Sequence, residues 1–388
     1  MRLYNLSIQE NMNIIVAPIS FSTGSAGSMR LRSLINELKL FKNVTLTNLI
    51  SSKEENQIDE RFYSSNITYR KLGYSALFGR LLEITSIYSI LKYKKMSGKN
   101  ILYFYSCVFN PLDNYIFFIA RILGYKLVFD ETELFKTKLT EVEGFSYIKF
   151  LLIALNQHII KFVADHIFCI SHEILKYYKK KSSLLPISCN NEAKPQREQY
   201  ILKNDITLFY SGSFETKDNV HCLIKACSNI HQNGYPFVLS LCGKMTLDEK
   251  QVLNDLIEKC KLKKKVFLHG FLEIDAYYNE LSSADICIVP RSSSKFANTG
   301  FPFKLGEYLS FGKPCIVSNT GDISLYLSPD DVYFVDPDNI EQLEQAITKM
   351  IKQEGLRKNF SRNGKRKADL HFNPKSHIKK MLKIFHNL

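Results

Sequence analysis

Short apolar runs alternate with amphipathic stretches of helical length along this chain, and the alternation occurs in two series. In the first half MNIIVAP (12–18), ILYFYS (101–106), KLVFDE (126–131) and HIFCIS (166–171) read as strands, rich in β-branched or aromatic residues and each followed by a helical pattern. The polar text Ser51–Ser65 reads as a loop or an irregular insertion. The second series is ITLFYSGS (206–213), FVLSLCG (237–243), KVFLHGF (265–271), ADICIVPR (284–291), KPCIVSN (313–319) and VYFVDP (332–337), with VHCLIKACSNIHQNG and EKQVLNDLIEKCKL among the helices between them. Strands apolar on both faces imply parallel sheets covered by helices on both sides. The expected fold is therefore α/β, two doubly wound parallel-sheet domains at residues 1–190 and 205–373, joined by a polar linker at 191–204 that contains Pro195. SHIKKMLKIFHNL, within 374–388, is an amphipathic helix expected to pack back on the first domain. In such folds ligands bind beyond the carboxyl ends of the strands, here in a cleft expected between the domains.

Composition narrows the class. At 388 residues, 45% hydrophobic and 23% charged, the chain can bury two cores and does not read as disordered. The nine cysteines include no CxxC pair, and several lie in apolar runs such as HIFCIS and ADICIVP. They read as small core hydrophobes in a reducing, cytoplasmic setting, with neither disulfides nor a zinc site. The opening MRLYNLSIQENMNIIVAP lacks the long apolar segment of a signal peptide. YIFFIARILGYKLVF and YIKFLLIALNQHIIKFVADHIF are broken by Arg121, Lys126, Gln157, His158 and Lys161, short of the roughly 20 clean apolar residues of a membrane span. Both read as buried helices followed by buried strands. The net charge of +14 implies an anionic partner. Trp is absent and no zinc, RRM or helix-turn-helix pattern is present, which argues against nucleic acid. A diphosphate substrate or an anionic membrane surface remains, although Lys179–Lys181, Lys263–Lys265 and Lys379–Lys380 fit solvated faces equally well.

The most informative stretch is GFPFKLGEYLSFGKPCIV (300–317). A Gly300-Phe301-Pro302 turn leads into a short helix that Gly312 ends, and Pro314 precedes an apolar strand. The start of such a helix offers backbone N–H groups and a positive dipole end to a phosphate. Lys304 and Glu307, three apart, share a helix face and can reach one ligand. A cation for phosphate and a carboxylate for sugar hydroxyls suit a nucleotide-sugar, while an ordinary strand–helix–strand unit with surface charges fits the spacing too.

Other strand ends carry candidate chemistry. Gly212 allows close backbone approach, and Lys217 follows it just before a helix, where a compact charge can meet a diphosphate. His269-Gly270-Phe271 could meet a base edge or simply turn the chain. Arg291 opens the small, polar loop Pro290–Thr299. After the first strand, STGSAGSMR (22–30) holds Gly24, Ser25 and Gly27, but it is not a full GxGxxG fingerprint and no acidic residue closes a second strand. A dinucleotide cofactor is therefore disfavoured. Asp130-Glu131-Thr132-Glu133 ends a strand, so its carboxylates are expected to face the same cleft.

YSGSFETKDNVHCLIKA, VFLHGFLEIDAYYNELSSADICIVPR and GFPFKLGEYLSFGKPCIVS, in this order and spacing, resemble the retaining glycosyltransferases of the GT-B fold, of the family four type that builds bacterial surface polysaccharides. The likeness covers about residues 206–350 well and the first domain loosely, through the Gly loop, DETEL, CISHEILKYY and LLPI. It implies two Rossmann-like domains and a metal-independent, retaining transfer from a nucleoside-diphosphate-sugar to a glycan or lipid-linked acceptor, with no bound cofactor. By that resemblance Glu307 is the second glutamate of a Glu-seven-residues-Glu motif and grips the donor ribose. Gly300, Phe301, Pro302 and Leu305 lie at the donor sugar and phosphate, Lys217 stabilises the leaving diphosphate, Gly270 and Phe271 meet the base, and Gly24 to Gly27 close over the site. Three departures stand out. Thr299 occupies the place of the first glutamate, Ser213 that of an arginine following Gly212, and Thr132 or Glu133 that of a strand-end histidine. Lys304 could supply the missing positive charge. The fold also admits a nucleotide-sugar epimerase, or a catalytically silent subunit that binds nucleotide-sugar in a polysaccharide complex.

Overall fold

The computed structural model describes residues 11–17, 26–51, 65–69, 77–105, 114–189 and 205–388. The chain divides into two compact units, Met1–Pro186 with Pro374–Leu388, and Ile187–Asn373. The linker expected at 191–204 lies outside the described residues.

In the first unit β1 (Met12–Ala17), β2 (Val44–Ser51), β3 (Ser65–Tyr69), β4 (Lys99–Tyr105), β5 (Lys126–Glu131), β6 (His166–Cys169) and β7 (Ser182–Leu184) form one parallel sheet. Its order is β3-β2-β1-β4-β5-β6-β7, so the direction of winding reverses between β1 and β4. The helices are α1 (Ala26–Leu38), α2 (Leu77–Lys94), α3 (Tyr115–Ile122), α4 (Gly144–Val163) and α5 (His172–Tyr178). The four strand runs read from this half of the sequence are β1, β4, β5 and β6. The strands β2, β3 and β7 escaped that reading because Thr45, Thr47, Asn48, Ser65, Asn66, Ser182 and Ser183 break their apolar pattern. The readings of the segments at α3 and α4 as wholly buried are corrected: each buries one face and exposes large apolar side chains on the other.

In the second unit β8 (Ile206–Ser211), β9 (Phe237–Cys242), β10 (Val266–Gly270), β11 (Ile286–Val289), β12 (Cys315–Ser318) and β13 (Tyr333–Val335) form a parallel sheet in the order β10-β9-β8-β11-β12-β13. The winding reverses between β8 and β11, whose Leu208 and Ile286 pair. The helices are α6 (Val220–Gln232), α7 (Leu247–Lys259), α8 (Ile274–Ser283), α9 (Lys295–Thr299), α10 (Phe303–Ser310), α11 (Ile323–Tyr326), α12 (Ile340–Lys352) and α13 (Glu354–His371). Thr246 and Glu249 form a reciprocal capping box at the start of α7. Buried side chains of α6, α7 and α12 meet Leu208, Leu239, Leu241, Ile286 and Ile288 in one core. The last helix, α14 (Pro374–Asn387), belongs to the first unit. Its Ile378, Met381, Leu382 and Phe385 recur at helical spacing and pack with Leu31, Leu34 and Ile35 of α1.

Candidate functional site

Where the winding reverses in an open parallel sheet, two loops part and leave room for a ligand at the carboxyl edge. In the second sheet those loops follow β8 and β11. β8, β9 and β10 end on glycines in the left-handed region, Gly212 (φ 144°), Gly243 (φ 152°) and Gly270 (φ 71°). Gly212 donates its N–H to the Cys242 carbonyl at 2.9 Å, and Gly243 to the Gly270 carbonyl at 2.8 Å, so the ladder runs to the loop edge. A Cβ on Gly243 would meet the Gly212 carbonyl oxygen at 1.8 Å, and one on Gly212 would meet Lys304 Nζ at 2.4 Å. Gly270 has open space around its Cα, so there only the backbone conformation demands glycine. The Phe271 ring beside it is exposed. The sequence reading passed over Gly243, although it follows β9 as Gly212 follows β8.

Lys304, in the first turn of α10, bonds Asp218 Oδ1 at 2.8 Å and the Tyr210 hydroxyl at 2.9 Å, and its ammonium lies 4.2 Å from the Tyr210 ring centroid. Ser213 donates to the other Asp218 oxygen at 2.5 Å. The position where the resemblance places an arginine thus holds a hydroxyl that fixes Asp218. Burial favours the neutral acid at Asp218, but Lys304 and Arg291 outweigh it and push its pKa down to about 2. Burial lowers the pKa of Lys304; Asp218 opposes that, and Arg291 and Lys217 add to it. Arg291 is buried and donates to the Ala297 carbonyl at 2.5 Å. Half-buried Lys217 sits in the turn Thr216–Asp218, its ammonium 5.1 Å from the Phe296 ring centroid. Ser292 N–H donates to the Lys217 carbonyl at 3.0 Å, tying together the two loops at the reversal. Three cations, Lys217, Arg291 and Lys304, therefore gather about one buried carboxylate, Asp218, with exposed Glu215 nearby. The surplus of positive charge suits an anion.

Glu307 lies one turn further along α10, buried, and accepts from the Tyr277 hydroxyl at 2.7 Å. Burial pushes its pKa up to about 7, and the Tyr277 hydrogen bond offsets this only in part. Lys304 and Glu307 share α10, yet each is engaged with a different partner. Tyr308 spans the interval, its hydroxyl accepting from Ser211 N–H at 2.7 Å and lying 2.9 Å from Ser211 Oγ. Asp218, Tyr210, Ser211, Tyr277 and Tyr308 were not among the sequence candidates. Their side-chain hydrogen bonds join positions 30 to 97 apart, except those that Asp218 and Tyr210 make with their near neighbour Ser213, and no local motif marks such pairs.

The turn before α10 is set by packing. Thr299, at the first-glutamate position, is buried with its hydroxyl donating to the Phe296 carbonyl at 3.0 Å. Phe301 stacks edge-on against Tyr326 and Phe372, with centroids 5.6 and 5.4 Å away. Pro302 is the N-cap of α10, and buried Leu305 donates its N–H to the Pro302 carbonyl at 3.1 Å. Gly300 caps α9, its carbonyl close against Gly321. The side chains of Phe301 and Leu305 thus anchor the turn in the core.

In the first unit Gly24 and Ser25 lie outside the described residues. Gly27 lies in the first turn of α1, where a Cβ would meet the Tyr105 ring at 2.7 Å, so this glycine lets the helix approach β4. The expectation that the Asp130–Glu133 carboxylates face a ligand cleft is corrected for two of them, which are buried inside the first unit. Asp130 is fully buried and bonded by Arg30 at 3.0 and 3.1 Å and by the Tyr103 hydroxyl at 2.8 Å, which balances its charge inside the unit. Glu131 is also fully buried; Gln157 donates to it at 2.6 Å, and burial pushes its pKa up to about 8. Half-buried Glu133 comes just after β5, its main-chain carbonyl taken by Gln157 at 2.8 Å. Among the described residues no group of three or more His, Cys, Asp or Glu is placed to hold a metal ion, and no helix is long and apolar enough to cross a membrane.

Comparison with known proteins places this geometry. Residues 192–367 match the family model described as glycosyl transferases group 1. The capsular polysaccharide biosynthesis glycosyltransferase CapM of Staphylococcus aureus is 20% identical over 254 residues, 61% of this chain and 64% of that protein. The match thus spans slightly less than two thirds of that relative's length. A solved glycosyltransferase from Rickettsia africae superposes with a TM-score of 0.75 at 15% identity, over 97% of this chain and 98% of that one. HepE of Anabaena, solved in complex with UDP-glucose, gives 0.75 at 12% identity, over 97% and 100%. Sucrose-phosphate synthase of Thermosynechococcus elongatus gives 0.72 at 14%, over 97% and 98%. The match to the glycosyl transferases group 1 model thus covers residues 192–367 of the chain, and its two Rossmann-like units make the GT-B fold.

Proposed function

We propose that this protein transfers a sugar from a nucleoside-diphosphate-sugar to an acceptor hydroxyl, with retention of configuration. The observation that carries the reading is the cation cluster at the winding reversal of the second sheet, Lys217, Arg291 and Lys304 about Asp218. In such a transfer the bond from the anomeric carbon to the diphosphate breaks with its electron pair going to the diphosphate. The acceptor oxygen bonds the anomeric carbon on the same face, and its proton passes to the departing phosphate oxygen. The main demand is stabilisation of negative charge on the leaving group. Lys217 and the start of α10 meet that demand without a metal ion, while Asp218 and Tyr210 hold Lys304 in place behind them. Glu307 takes the donor ribose hydroxyls, and Phe271 offers an exposed ring to the base.

The UDP-glucose bound by HepE, a protein of the same fold, makes a uridine diphosphate sugar the first donor to try. The likeness to CapM points to a glycan or lipid-linked acceptor in surface polysaccharide synthesis, and the basic charge to a peripheral place on an anionic membrane. Thr299 presents no carboxylate to the donor sugar, so other groups must select that sugar. The test is release of nucleoside diphosphate and appearance of glycosylated product across a panel of donors and acceptors. Lys217→Ala and Glu307→Ala should each lower turnover about a hundredfold or more. Wild-type turnover in both variants would refute the site, and donor consumption without acceptor would make the protein an epimerase instead.

A further inference from the structure

Helix α4 is built inside out. The side chains it buries include Asn156 and Gln157 beside Ile153 and Ile160, while Phe145, Ile148, Leu152, Leu155 and Phe162 are exposed, from 43% at Leu152 to 93% at Phe145. Ile148, Leu152, Leu155 and Phe162 recur at i, i+4, i+7 and i+14, a single stripe opposite the buried face. Phe118 and Ile122 of α3, at 62% and 79%, extend the apolar surface. Arg121 joins the two helix ends, donating to the Val163 carbonyl at 2.7 Å and to Asp165 at 2.8 Å. Large apolar side chains gathered in this way mark a contact surface.

Charge identifies the partner. The 20 residues of α4 include no Asp or Glu, but do include Lys149 and Lys161. Lys161 and Lys136 stand over one ring, that of Tyr177, at 3.3 and 4.5 Å from its centroid. These lysines flank the apolar stripe, so a second copy of α4, which has no acid, would leave them unmatched, whereas anionic headgroups would neutralise them. The helix is not apolar enough to span a bilayer, so it suits a position lying in the interface, with its lysine stems reaching back to the headgroups. We propose that the outward faces of α4 and α3 dock on an anionic lipid surface. Such docking would bring a lipid-linked acceptor to the first unit, a consequence that rests on the reading above; the lipid contact itself does not.

Co-sedimentation of the full chain with vesicles tests the docking. Wild type should pellet with phosphatidylglycerol-containing vesicles, less so as salt rises, and much less with pure phosphatidylcholine. The triple variant Leu152→Ser, Leu155→Ser, Phe162→Ser should bind about tenfold more weakly or worse. Lys136→Gln with Lys149→Gln, both at exposed positions, should weaken binding to the anionic vesicles only. Both variants should keep the wild-type thermal midpoint and its shift with nucleotide. Wild type that stays in the supernatant, a triple variant that binds normally, or a dimer of the wild type that the triple variant abolishes would each overturn the proposal. Absence of any nucleotide shift in wild type would count against the donor site and leave the docking standing.

Discussion

Glu307 holds its carboxyl in the core at a cost that depends on pH. Its folded pKa of about 7 lies above the ordinary 4.5, so between those values the folded chain binds more protons than the unfolded one. Stability from this group is therefore lost as pH rises through about 7, up to about 3 kcal/mol for a shift of this size. Glu307→Gln should raise the thermal midpoint above that of wild type at pH 8 and leave it near wild type at pH 5; identical curves at both would show that the carboxyl is not strained. Ribose hydroxyls donating to the ionised carboxylate would release its proton, so donor affinity should rise from pH 6 to pH 8 in wild type and stay flat in Glu307→Gln, as read by titration calorimetry. Gly212→Ala sets a Cβ against Lys304 Nζ at a φ of 144°. It should displace the lysine and cost about 1 kcal/mol or more in stability, measured by urea unfolding.

Between elements, the pair Lys304–Asp218 ties α10 to the turn after β8. Removing one partner of a buried pair strands the other, so Asp218→Ala should destabilise by about 3 kcal/mol; a loss under about 0.5 kcal/mol would mean the pair is not buried in solution. Because the folded pKa of Asp218 is depressed to about 2, its contribution is present above the ordinary 3.8 and disappears as pH falls from there to about 2. The sequence showed α10 and its two charged residues clearly, because Pro302 and Gly312 bracket a short amphipathic stretch. Asp218 stayed hidden because nothing local distinguishes it from a surface acid, its partner being 86 positions away. Asp130 was misread for the same reason, its partner Arg30 lying 100 positions earlier. Helix α4 was misread because an apolar composition says that a face seeks cover, without saying what covers it.

At the scale of the whole molecule, the two sheets were legible where strands are apolar on both sides, as in β5 and β8, and illegible at β2, β3 and β7, where polar residues interrupt the pattern. The order of strands, which places the winding reversal beside Gly212 and Arg291, emerges only from pairing. The most direct measurement is calorimetric titration of nucleoside diphosphates into wild type, Lys217→Ala and Glu307→Ala. Saturable binding of one nucleotide to wild type, weakened about tenfold or more in each variant, is the expected result. No binding of any nucleotide to wild type, or equal binding by all three proteins, would contradict a nucleotide-sugar site at the carboxyl edge of the second sheet.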